Sequence, residues 1–172
     1  MESAYSLSDV VNRTGAKRRA LQLWADGGII KSTKDTDRAG TGVHRRFPEA
    51  EVRIAALLVP LANMGTPIGI LRRFAQEIRL AFHYGFTRII PKHPLEQRIS
   101  AIGRGLVRAS EGSGENYMSF AFSTDKIWID VKTDEDGPVC INPRADFAQS
   151  DIPREALFVV LDLTRLLRSL LV

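Results

Sequence analysis

Cysteine is almost absent. The 172 residues hold one, Cys140, which excludes an intramolecular disulfide and a cysteine-only metal cage within the chain. Cys140 falls in an apolar run and reads as a small buried hydrophobe, with a redox switch as the alternative. Histidine is scarce too, at three: His44, His83 and His93. No Ser/His/Asp set, paired-carboxylate motif or phosphate-binding glycine loop is present. The expectation is therefore a protein that is not an enzyme, with no catalytic residue, no cofactor and no metal. Asp134-Glu135-Asp136 reads as a solvated turn rather than a metal site. No N-terminal run is apolar enough for a signal peptide, and no long uncharged run could span a membrane. The expected location is the cytoplasm.

Acids are few in the first part of the chain and cations are few in the stretch that follows. Residues 1–109 carry 18 Lys and Arg against 9 Asp and Glu, whereas residues 110–155 carry 4 against 10. A basic part joined to an acidic part suggests that only the first faces a polyanion; chance segregation is the alternative. The basic part centres on Ala16–Asp26, AKRRALQLWAD. Leu21 and Trp24 share one helical face, while Lys17, Arg18 and Arg19 crowd the first turn. Cations there oppose the helix dipole, so an external anion is a natural partner. A solvated basic face on an ordinary surface helix is the other reading.

The segment before it, Ser6–Gly15, reads as a short helix. Ser6 or Ser8 caps its start, Gly15 takes the left-handed turn at its end, and Leu7, Val10 and Val11 form its apolar stripe. Two short helices across a tight turn make a helix-turn-helix. Downstream, Ile29-Ile30 starts a strand, Lys31–Gly42 forms a polar tip, and Val43–Phe47 returns as a second strand. This hairpin is a wing carrying Arg45 and Arg46. A helix follows from Phe47-Pro48, turning Val52, Ala55, Ala56 and Val59 inward, with Pro60 breaking or kinking it. Gly65 ends that segment. Thr66 caps the next helix, whose stripe is Ile68, Leu71, Phe74, Ala75 and Ile78.

These segments resemble, in order, the MerR family of bacterial transcriptional regulators, over about Tyr5 to Ile78. Tyr5-Ser-Leu-Ser-Asp-Val10 is similar to the family's opening helix, and Thr14-Gly15-Ala16 to its turn. Leu21-Gln-Leu-Trp-Ala-Asp-Gly-Gly-Ile-Ile30 is similar to L-R-Y-Y-E-x-x-G-L-L. His44-Arg-Arg-Phe47 resembles the wing ending R-R-Y, and Asn63–Leu71 the segment that opens the following helix. Gln22, Leu23 and Trp24 stand where the family has arginine and two tyrosines. The family usually continues into one long dimerising helix, which residues 83–94 would interrupt here. The resemblance implies a winged helix-turn-helix that reads double-stranded DNA, distorts promoter DNA and works beside RNA polymerase. On this reading Lys17, Arg18, Arg19 and Gln22 lie in or beside the major groove. Ser6, Ser8, Arg13, Trp24, His44, Arg45 and Arg46 position phosphates.

In the second half, Pro94–Ala109 reads as a helix with the stripe Leu95, Ile99, Ile102 and Leu106. Tyr117–Ser123, Lys126–Lys132 and a short run at Val139 and Ile141 alternate and read as a three-stranded antiparallel meander. The segment 156–172 reads as a helix apolar on nearly all sides, capped by Asp151. One sheet face cannot cover it all, so a homodimer is expected; the alternative is cover by the 94–109 helix. Tyr117, Phe120, Phe122 and Trp128 are candidates for a small effector pocket, or for ordinary core. The fold class is thus α+β. A winged helix-turn-helix domain spans residues 1–80, a linker 81–93, and a helix/meander/helix domain for dimerisation or effector binding 94–172. The function expected is sequence-specific DNA-binding transcriptional regulation. The alternatives are a phage-type or excisionase-like accessory DNA-binding protein, and a protein-interaction module that works through the acidic half.

Overall fold

The computed structural model describes residues 4–36, 44–87, 94–111, 116–122, 127–133, 137–139, 157–168 and 170. The chain mixes helix and strand, as expected of an α+β protein, and divides into two compact units, Met1–Arg79 and Leu80–Val172.

The first unit runs β1 (Ala4–Ser6), α1 (Leu7–Thr14), α2 (Arg18–Asp26), β2 (Arg46–Pro48) and α3 (Glu49–Asn63), then into α4 (Ile68–Thr87), within which the division falls. Ser6 and Asp9 close a capping box at the start of α1. The Asp9 N–H donates to Ser6 Oγ at 3.2 Å, and Ser6 N–H donates to Asp9 Oδ2 at 2.8 Å. Two helical turns later Gly15 enters the left-handed region, and three residues, 15–17, separate α1 from α2. Helix α2 ends in a Schellman turn. Ile29 N–H donates to the Trp24 carbonyl at 2.8 Å and Gly28 N–H to that of Ala25 at 3.1 Å, with Gly28 at φ 67°. Leu21, Trp24, Ile29, Ile30 and Phe47 join Ile54, Leu57, Leu58, Leu61, Phe74 and Ile78 in the core of this unit.

Several expectations fail here, each for a local reason. Ile29 and Ile30 form no strand. They are buried at the bend that follows the Schellman turn. The partner of β2 is instead β1, antiparallel, with Tyr5 opposite Phe47. Of the expected polar tip, Lys31–Gly42, residues 34–36 form a turn; 37–42, and Val43 of the expected second strand, lie outside the described residues. Of the two readings of Pro60, the break fails: α3 runs on to Asn63, because the proline removes only its own N–H from the helical ladder three residues before the end. The Thr66 hydroxyl is buried without a hydrogen-bond partner, so it does not cap α4. In α4, Ile68 is exposed and Ile70 takes the buried position. The helix also continues to Thr87, so residues 81–87 of the expected linker are helical; 88–93 lie outside the described residues.

An ion pair with a buried carboxylate and a half-buried guanidinium ties this unit together. Glu51 of α3 accepts from Arg79 of α4 twice, from Nε at 2.6 Å and from Nη2 at 2.9 Å. Arg79 also donates to the Ile29 carbonyl, and Glu51 accepts from the Lys31 N–H. Three segments distant in sequence thus meet at one carboxylate.

The second unit holds α5 (Pro94–Ser110) and four strands, β3 (Asn116–Phe122), β4 (Ile127–Thr133), β5 (Gly137–Val139) and β6 (Leu157–Asp162), then α6 (Leu163–Arg168). The sheet order is β5-β4-β3-β6, antiparallel throughout. The last segment is therefore not one helix. Its first six described residues form an edge strand beside β3, and only then does a short helix start, with Asp162 Oδ1 accepting the Arg165 N–H at 2.8 Å. Leu161, Leu163, Leu167 and Leu170 are buried within the unit, and α6 packs on α5. The apolar surplus that argued for a second copy is taken up inside the fold, at least at these four positions. Cys140, Asp134–Asp136 and Asp151 lie outside the described residues.

Candidate functional site

On α2, the 3.6-residue period sorts the chain cleanly. Leu21 and Trp24 turn inward; Lys17, Arg18, Arg19, Gln22, Leu23 and Asp26 are exposed. The strand β2 and the two residues before it run past this exposed face. Their position is fixed by one backbone and one side-chain hydrogen bond to the turn at 33–36. Thr33 N–H donates to the Arg46 carbonyl at 2.7 Å, Arg46 N–H donates to Thr36 Oγ1 at 2.9 Å, and Thr36 is itself buried. Between α2, the start of α1 and this arm lies an open groove of about 630 Å³.

The groove gathers eight of the residues expected at a DNA-binding surface: Ser6, Ser8, Arg18, Arg19, Gln22, His44, Arg45 and Arg46. Lys17 is exposed at the start of α2 but does not line it. Arg13 stands apart, with its guanidinium 4.7 Å from the centre of the Tyr5 ring. Trp24 is the clear correction. It is 4% exposed, and its carbonyl accepts from Ile29 and Ile30, so it is core and cannot touch a phosphate. Ser6 belongs first to the helix cap.

Sequence reasoning missed Leu7, Leu23, Ala25, Asp26 and Phe47 in the groove lining. Asp26 is its one carboxylate among the described residues, and it pairs with Arg45 at 2.5 Å. Arg18 Nη1 donates to Ser8 Oγ at 3.2 Å, bridging α2 to α1. At the edge of the groove, the hydrogen bonds from the Ser6 hydroxyl and N–H hold the Asp9 carboxyl below its ordinary value, and the nearby Arg46 and Arg13 charges add to this. Four guanidinium groups around an open channel, with one acid between them, form a surface that can neutralise a linear anion.

The remaining candidates do not form a second site. By strand register Tyr117 lies opposite Lys132 and Trp128 opposite Ala121. Positions 117 and 128 therefore share one face of the sheet, while 120 and 122 fall on the face of buried Met118. One pocket does not draw on all four; their side chains lie outside the described part. Among the described residues no group of His, Cys, Asp and Glu could hold a metal ion, and no helix is long and apolar enough to cross a membrane. No protein-family model matches the chain, and no curated protein matches it.

Proposed function

We propose that the chain is a sequence-specific DNA-binding protein, a transcriptional regulator of the winged helix-turn-helix kind. Helix α2 enters the major groove, and the arm at residues 44–46 lies on the sugar-phosphate backbone. The observation that carries this is the groove between them, into which Arg18 and Arg19 reach from one wall and Arg45 and Arg46 from the other. An α-helix with side chains is roughly 10–12 Å across, which matches a major groove about 12 Å wide. A three-residue turn between α1 and α2 and a basic first unit favour the same reading. The role as a regulator that distorts promoter DNA beside RNA polymerase rests on the MerR resemblance of the segments between Tyr5 and Ile78.

Binding of the full chain to duplexes, followed by gel shift or fluorescence anisotropy over a salt series, tests this. Arg18→Ala is expected to weaken a selected site about tenfold or more and to relax its base preference. Arg46→Ala is expected to weaken all duplexes alike and to make the salt slope shallower by about 1. If both variants bind as the parent does, this surface is not the interface. Selection from a random pool also gives stoichiometry, because an inverted repeat means two copies. Sites at a promoter spacer support the regulator; tandem sites at a recombination or packaging locus support an accessory factor. No binding at low salt leaves the protein-interaction reading.

A further inference from the structure

Leu23 is the anomaly of the cationic face. It is 60% exposed and lines the groove among arginines. At 100° per residue, Arg19, Gln22 and Asp26 form the middle stripe of the solvent side of α2; Arg18 flanks it on one side and Leu23 on the other. A helix that met only phosphates would gain nothing from a leucine there, since an isobutyl group offers a phosphate oxygen no donor. The floor of a major groove, by contrast, carries one apolar group, the C5 methyl of thymine. Gln22, exposed beside Leu23, carries the amide that pairs with N6 and N7 of adenine. The two residues are consecutive and point about 100° apart around α2, so each addresses the groove floor from its own position on the helix.

We infer that Leu23 is a specificity-determining residue that packs against a thymine methyl, and that with Gln22 it makes α2 a reader of A·T pairs. This rests on the DNA-binding reading of the groove. The charge of Arg18, Arg19, Arg45 and Arg46 brings the duplex to α2, and Leu23 supplies a contact that no phosphate can satisfy. Replacing Leu23 costs the fold little, because its side chain stands mostly in water.

The test uses the full chain and the duplex obtained by selection from a random pool. Each thymine is replaced in turn by deoxyuridine, which removes the methyl group and nothing else. One or two replacements are expected to weaken binding of the parent about fourfold, the factor that loss of one buried methyl group corresponds to. The same replacements leave Leu23→Ala unchanged, and Leu23→Ala keeps the parental salt slope. Deoxyuridine duplexes that bind the parent as tightly as thymine duplexes overturn the assignment while leaving DNA binding intact. A change of oligomeric mass in Leu23→Ala, without any change in methyl dependence, also overturns it and assigns Leu23 to a protein contact. Failure of the parent to bind any duplex at low salt removes the DNA-binding reading itself, and this inference with it.

Discussion

Asp26 sits in the last turn of α2, where a carboxylate faces the negative end of the helix dipole. The Arg45 guanidinium offsets that placement, and in doing so is held away from any other anion. A duplex entering the groove must compete for Arg45 and approach Asp26. Asp26→Asn removes both obstacles, and random-sequence DNA is expected to bind about two- to fivefold tighter at low salt, the range of an exposed ion pair. Anisotropy titration measures it; weaker binding would instead make Asp26 a base-reading group. Asp9 acts on stability rather than affinity. Its carboxyl titrates below its ordinary value of 3.8 in the folded chain, chiefly through the Ser6 hydrogen bonds. The unfolded chain therefore binds the proton first, and the capping box contributes stability above pH 3.8 that is lost as pH falls through the lower folded value. In acid titrations followed by circular dichroism, Asp9→Asn is expected to flatten that limb and leave the neutral range with a weaker cap.

Elements built on a clear period were legible; those decided by distant partners were not. The face of α2 could be read from Leu21 and Trp24 three residues apart, although the same spacing should have marked Trp24 as core rather than as a phosphate contact. Ile29-Ile30 is too short and uniformly apolar to carry any period, so it resembles a strand as well as a bend. The run Leu157-Phe-Val-Val-Leu161 fits both periods, and only its β-branched pair hinted at the strand that pairs with β3. The Arg79–Glu51 pair leaves no local signature, because its members lie 28 residues apart. Arg79→Ala strands a buried carboxylate and frees the Ile29 carbonyl, and is expected to cost about 3–5 kcal/mol in urea unfolding. In the second unit the end of α4 crosses α5 at Gly85 and Gly103. A Cβ on Gly85 would come within 3.0 Å of the Gly103 backbone, and one on Gly103 would fall on the Ala81 carbonyl. Backbone cannot yield as a side chain does. Gly103→Ala is expected to destabilise this unit by about 3 kcal/mol or more, seen as a lower melting temperature.

At the scale of the whole molecule, the two units divide the charge. Residues 1–79 hold 13 Lys and Arg against 8 Asp and Glu, and residues 80–172 hold 11 against 12. Every residue that lines the groove falls in the first unit, as does the Arg79–Glu51 pair that fixes the end of α2 to α3. If a polyanion is recognised by this groove alone, the second unit adds no phosphate contact. The count of counterions released, read as the slope of log affinity against log salt, is then a property of the first unit. A fragment of residues 1–87 keeps α4 whole and is expected to bind the selected duplex with the slope of the full chain, to within about one phosphate contact. Removal of a nearly neutral unit leaves the long-range attraction almost unchanged, so affinity at physiological salt should stay within a few-fold. The fragment's helical content by circular dichroism controls for folding. A folded fragment that loses tenfold or more in affinity would place part of the nucleic-acid contact, or a second copy held by residues 88–172, outside the groove.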